Sequence, residues 1–175
     1  VYNHTTPTLA DAYAVIEQLR GHWRVAGRLY LLTGARFGEI ASLTWSDWDR
    51  AEQTLTLTGK RGTRVVPTGA ELQRELLEWW VRCGQPTTGT VLRVPRTTLK
   101  TLGKHLVEAS AAIHVAPFSP QGFRRLASTR LIALGPEKVP VKEYEAAMGH
   151  SYEMGLKTYS FRNGQLEPPR LTFRC

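Results

Sequence analysis

Cysteine is nearly absent from this chain. Cys83 and Cys175 are the only two, far apart and without metal-type spacing. That argues against a disulfide framework or a zinc site and makes a reducing, cytoplasmic setting the expectation. Long apolar runs are also missing: Leu29 to Thr33 is short, and Leu126 to Leu134 is broken by Arg130. Neither approaches the roughly 20 residues that span a bilayer, so no membrane partner is expected. There is no P-loop and no carboxylate cluster of the kind two-metal nucleases use, so neither nucleotide nor metal is implied. No internal repeat or low-complexity tract stands out. The opening Val1-Tyr2-Asn3-His4 has neither an initiator Met nor a signal-peptide pattern, and reads as part of a longer chain with a further N-terminal domain. Acidic residues are in short supply: 15 Asp and Glu stand against 23 Lys and Arg, a net charge of +8. Such a surplus favours a polyanionic partner, because each phosphate neutralised releases condensed counterions. Simple solubility would give the same total, so the placement of the cations has to decide.

The 175 residues suffice for one domain with a real core. Thr8 to Leu19 reads as a helix, with Thr8 as N-cap and Leu9, Ala12, Tyr13, Ile16 and Leu19 on one face. Gly21 breaks it. Trp23 to Leu32 is a second helix ending at Thr33-Gly34, and a short helix from Phe37 to Leu43 follows. Thr54 to Thr58 alternates and is β-branched, Gly59 to Gly62 is a turn, and Thr63 to Pro67 is the return strand of a hairpin. Helical periodicity resumes beyond Gly69, where Leu72, Leu76 and one of Trp79 or Trp80 share a face up to Arg82. Glu71, Glu75 and Glu78 make that helix acidic, which places it away from a polyanion. Thr97 to Ile113 is expected as one helix with Lys100 and Lys104 outward. Ser119-Pro120 opens another, Gln121 to Leu134, with Ser119 as N-cap. Lys142 to Met148 and Tyr152 to Tyr159 complete a helical C-terminal half, before a tail expected to be extended. The expected fold is mainly α with a small antiparallel β-hairpin.

Four stretches concentrate chemistry. Thr33-Gly34-Ala35-Arg36-Phe37-Gly38-Glu39 places an Arg between two apolar helices, where Arg seldom sits unless paired or functional. An Arg36–Glu39 staple explains it equally well. Gly59-Lys60-Arg61-Gly62-Thr63-Arg64 crowds three cations onto one turn, an arrangement that suits an anion or an exposed, solvated tip. Gln121-Gly122-Phe123-Arg124-Arg125 sets two Arg residues one turn into a helix, adding to the positive end of its dipole. Finally, Gly149-His150 is followed by Tyr159 nine positions later, a pair that is weak taken alone.

Order and spacing together make the set specific. An Arg in TGxR-x-x-E, a Lys in a GK hairpin followed by R-x-V-P, an Arg at the Gln121–Arg124 stretch, then GH and a Tyr nine later resemble the tyrosine recombinase (phage-integrase) family. The likeness runs from about Thr8 to Ser160 and includes Leu43-Thr44-Trp45-Ser46-Asp47 after the first Arg. It implies the catalytic-domain fold of that family over residues 1–160, a C-terminal tail at 161–175 that packs on a neighbouring protomer or is disordered, and an N-terminal DNA-binding domain outside this stretch. By resemblance Tyr159 is the nucleophile of site-specific DNA strand cleavage and rejoining, giving a 3′-phosphotyrosine and a four-way junction without metal or cofactor. Arg36 and Arg124 then hold the non-bridging phosphate oxygens, Lys60 protonates the leaving 5′-oxygen, and His150 supplies an acid/base or phosphate contact. Glu39 orients Arg36 or simply staples the helix. Arg61, Arg64, Arg93, Arg96, Lys100, Lys104, Arg125 and Lys138 are candidates for DNA-backbone contact. The implied partner is double-stranded DNA with a specific site, and the protein is expected as a homo-tetramer in the synaptic complex and as a monomer when free.

One position departs from the pattern. Where the family usually has His-x-x-Arg, this chain reads Gln121-Gly122-Phe123-Arg124, and an amide cannot carry a proton. Other readings therefore stay open: a DNA-binding module with a decayed active site, a type IB topoisomerase-like or telomere-resolvase-like enzyme of the same chemistry, and a structural helical domain whose cations face solvent.

Overall fold

A computed structural model describes residues 5–160, with side chains to residue 157. Helix α1 (Leu9–Gln18) starts where Thr8 accepts the Asp11 N–H at 3.1 Å, so the expected N-cap is present. Helix α2 (His22–Thr33) is closed by Gly34 in the left-handed region at φ 61°. Helix α3 (Phe37–Ser42) follows after two residues, and a 3-10 turn at Trp45–Asp47 leads into the sheet. Strands β1 (Trp48–Asp49), β2 (Thr54–Gly59) and β3 (Gly62–Pro67) form an antiparallel sheet in that order. Gly59 pairs with Gly62, so the hairpin turn is the two residues Lys60 and Arg61. Helices α4 (Gly69–Arg82), α5 (Arg96–Leu99), α6 (Leu102–Ala112), α7 (Pro120–Leu134), α8 (Val141–Met148) and α9 (Tyr152–Ser160) make up the rest.

The architecture is mainly helical with a small sheet, as the pattern predicts, and four details differ. The sheet has a third strand, β1, too short for alternation to reveal. The helix expected from Thr97 to Ile113 is two, α5 and α6, interrupted at Lys100-Thr101. Leu99 and Leu102 are both buried across that break, and a continuous helix would also place them on one side, so their pattern could not expose it. Ser119 is the N-cap of α7 by position, but its side chain makes no capping hydrogen bond. Trp79 and Trp80 do not divide into inward and outward: both are half-buried, and their indole N–H groups donate to Val91 O and Pro86 O at 2.7 and 2.8 Å. The tail from 161 onward, with Cys175, lies outside the described residues.

The core explains how these elements hold a site. α2 packs against α1, α4 and α7 and is apolar around most of its girth, as a central helix must be. Its Leu29 and Leu31 join Ile16, Ile40, Leu43, Leu55, Leu57, Leu72, Leu76, Phe118 and Phe123 in one continuous buried cluster. Arg28 is 7% exposed within it, and Glu17, Glu71 and Glu75 from α1 and α4 surround its guanidinium. Glu71 and Glu75 of α4 are therefore engaged with Arg28, while Glu78 stays exposed. A second, smaller cluster of Ile132, Tyr144 and Met148 forms where α7, α8 and α9 meet. Among the described residues no helix is long and apolar enough to cross a membrane.

Candidate active site

The site forms where two helix C-termini and the β-hairpin converge. α2 ends at Gly34 and α8 ends at Gly149, both glycines in the left-handed region. φ favours glycine at 149 and space is tight there as well: a Cβ would stand 3.1 Å from Arg36 Nη1 and 3.3 Å from Arg64 Cδ. The terminal carbonyls are the negative ends of the helix dipoles, so they attract cations. Arg124, from α7, donates to Gly34 O and to Met148 O and so ties the two ends together. Arg36 donates to Gly149 O at 2.6 Å.

Glu39 organises the other side. Only 3% exposed, it accepts from the Arg36 backbone N–H at 2.7 Å and from the Arg36 guanidinium at 3.2 Å. It also binds Arg64, from β3, through Nη2 at 2.8 Å and Nε at 3.3 Å. The staple and the orienting role are thus one arrangement, and it includes a second arginine. Burial pushes the Glu39 carboxyl up, but the hydrogen bonds from Arg64 and Arg36 and their charges outweigh it and hold it below the usual range. Arg124 moves the other way: burial, then repulsion from Arg36 and Arg64, brings it down to about 10. One carboxylate facing three guanidiniums leaves a concentrated positive charge, an arrangement that is favourable beside an anion.

The remaining expected residues fall into two groups. His150 follows Gly149 directly; burial lowers its pKa, the hydrogen bond to Ser151 O opposes that, and the charges of Arg124, Arg36 and Arg61 add to the lowering, which is the net direction. That direction favours the neutral ring. Lys60 is exposed at the hairpin turn, flanked by Gly59, whose added Cβ would lie 3.0 Å from Glu39 Cγ, and by Arg61, whose charge reaches His150. Tyr159 lies in α9, next to that helix's last residue; its side chain is outside the described side chains. Gln121 is exposed in the first turn of α7, one turn before Arg124. Arg96 stacks on Phe37 at the start of α3, 5.2 Å from the ring centroid.

Others point elsewhere. Arg64, expected as an outer backbone contact, is 10% exposed and committed to Glu39. The Arg125 guanidinium is turned to Thr5 O and Thr6 Oγ1. Arg93 donates to Cys83 O at 3.1 Å and lines an open cleft with Trp45 and Pro95. Lys104 faces Glu108 along α6 at 3.9 Å, Lys100 is exposed at the α5–α6 break, and Lys138 is exposed between α7 and α8. Sequence reasoning passed over Tyr144 and Ser128, whose hydroxyls meet at 2.7 Å behind His150, and Gly155, which packs on that tyrosine. A Tyr within an apolar helical period and a Gly inside a short helix are the faint signals they leave.

Residues 5–163 match the phage integrase family model. The chain belongs to the phage integrase family. A curated relative, the tyrosine recombinase XerC of Bifidobacterium longum strain DJO10A, is 29% identical over 147 residues, covering 74% of this chain and 39% of its own length. This integrase-family chain thus spans about two fifths of that relative. The crystal structure of XerA recombinase superposes with a TM-score of 0.72 at 19% identity, over 94% of this chain and 61% of that one. A lambda integrase tetramer bound to a Holliday junction gives 0.68 at 18% identity, over 95% of this chain and 51% of that one. At such identities the likeness is one of fold, and the fold is that of tyrosine recombinase catalytic domains.

Proposed function

We propose that this chain is the catalytic part of a site-specific DNA recombinase that cleaves and rejoins strands through a phosphotyrosine at Tyr159. The observation that carries the reading is the convergence of Arg36, Arg64 and Arg124 around Gly149, beside His150 and against a single buried carboxylate. Family membership and the XerC relative support the coarser statement of DNA recombination. The first 160 residues are read as the catalytic domain.

In this mechanism Arg36 and Arg124 fork onto the non-bridging oxygens of the scissile phosphate, where negative charge gathers in the transition state. The Tyr159 oxygen attacks phosphorus, the bond to the 5′-oxygen breaks, and Lys60 gives that oxygen a proton. The phenolic proton needs an acceptor. Gln121 cannot be one, and His150, whose single acceptor nitrogen Nε2 is faced by the Tyr144 hydroxyl, can be one only by giving up that contact. The phosphotyrosine keeps the energy of the phosphodiester, so a 5′-hydroxyl of a partner strand reverses the step. By analogy with the lambda integrase tetramer on its junction, exchange takes place within four protomers.

The test is nicked DNA carrying the cognate site, incubated with the chain and resolved on a denaturing gel. A protein–DNA adduct lost in Tyr159→Phe is the expected result. No adduct from the native chain, with DNA still bound and no rescue by Gln121→His, would favour the decayed binding module that Gln121 raises.

A further inference from the structure

His150 is held from behind by groups outside the family pattern described above. Its Nδ1 lies 3.1 Å from Ser151 O, and a carbonyl can only accept, so Nδ1 carries the hydrogen. Nε2 of the neutral ring is then an acceptor. Facing it, 3.5 Å away, is the hydroxyl of Tyr144, a long contact, with the two rings edge to face at 5.5 Å. Tyr144 is fully buried, and its hydroxyl also meets Ser128 Oγ at 2.7 Å. A hydroxyl donates to a neutral imidazole and accepts from a protonated one, so this contact suits both states of the ring.

The same two groups grip α9. A Cβ on Gly155 would fall 2.1 Å from the Tyr144 hydroxyl oxygen and 2.7 Å from Cζ, so only glycine lets α9 settle onto that phenol. Ser151 O, which receives His150 Nδ1, also receives the Gly155 N–H at 3.1 Å. Ser151 Oγ accepts from Met154 N at 3.2 Å, and Glu145 of α8 accepts from Tyr152 N at 2.9 Å. Tyr159 follows Gly155 by one helical turn.

We infer that Tyr144 is a positioning residue: its hydroxyl fixes the ring of His150 and, seated in the notch at Gly155, couples that ring to the helix that carries Tyr159. The inference rests on the recombinase reading for its purpose. The charged and titratable groups around His150 are Arg124 of α7, Arg36 before α3, Arg61 of the hairpin and Tyr144 of α8, and Tyr144 alone among them can donate to Nε2 and also accept from it.

The test uses the whole chain with nitrogen-15-labelled histidine. In Tyr144→Phe the ring still fills its space, and the His150 Nε2 resonance moves toward that of an unbonded imine. Its protonation midpoint shifts, because the ring has lost the hydroxyl that meets Nε2 in both of its states. Single-turnover adduct formation slows by roughly tenfold, the scale of one lost positioning hydrogen bond, and its pH profile moves with the midpoint. Gly155→Ala, which does not touch His150, shifts the same resonance. Helix propensity alone predicts only a firmer α9 from that change. An unmoved Nε2 resonance and midpoint in folded Tyr144→Phe would overturn the inference, and an unmoved resonance in Gly155→Ala would overturn the coupling to α9. The nitrogen resonances need no DNA, so failure of this inference is distinguishable from failure of the recombinase reading, which Tyr159→Phe probes separately.

Discussion

Glu39 shows how much one side chain decides. It is buried, it neutralises Arg36 and Arg64, and it caps α3 through the Arg36 N–H. Removing one partner of a buried charge set costs about 3–5 kcal/mol, because the others are left uncompensated. Glu39→Ala should therefore lower the urea midpoint more than any surface change. Glu39→Gln keeps the shape but not the charge, and should lie between that variant and the native chain. The pH dependence follows from the direction of its shift. A depressed carboxyl stabilises the fold above its unfolded pKa, and that contribution is lost as pH falls through the lower folded value. Native stability should decline on acidification below the ordinary carboxylate range, and Glu39→Gln should show a smaller decline in the same window. Lys60 is a contrasting case, exposed and away from the core. Lys60→Ala should leave the urea midpoint unchanged and slow adduct formation by about 10²–10⁴-fold, as loss of a general acid does.

Among the elements, the helix C-termini do the positioning. Gly34 combines a left-handed φ with a close neighbour, since a Cβ there would meet Met148 Sδ at 3.0 Å. Gly34→Ala should cost about 1–2 kcal/mol from backbone strain, and more as Met148 is displaced. Equilibrium unfolding measures that cost. Because Gly34 O also receives Arg124, the variant should lose cleavage out of proportion to its stability. The hairpin works differently. Its two-residue turn presents Lys60 and Arg61, while Gly59 and Arg64, further back, lock the strands to Glu39. A rigid base and an exposed tip suit the role proposed for Lys60 on the leaving 5′-oxygen.

Across the protein, carboxylates are shared unevenly. Glu71 and Glu75 are paired with Arg24, Arg28 and Tyr13, whereas Arg36 and Arg64 share the one carboxylate of Glu39. The logarithm of the DNA-binding constant should fall linearly with log salt. Arg61→Ala should lessen that slope by about one unit if its charge meets a phosphate, and Lys104→Ala, already facing Glu108, by less. Filter binding across a salt series measures both.

The element order, the small sheet, the caps at Thr8 and Gly34 and the family pattern from Arg36 to Tyr159 were legible in the sequence. They depend on short-range periodicity, turn chemistry and spacing, which a chain displays locally. The α5–α6 break and β1 were not, because each is shorter than the period that would reveal it. Nor was the company each residue keeps. Arg64 was legible as a cation, but burial against Glu39 from another element made it part of the site. Tyr144, Ser128 and Gly155 come from three helices, and no spacing relates a hydroxyl to the glycine it rests on. Residue type and order reside in the chain; which charges are buried, paired and neighbours across elements is set by packing, and only the tertiary structure decides it.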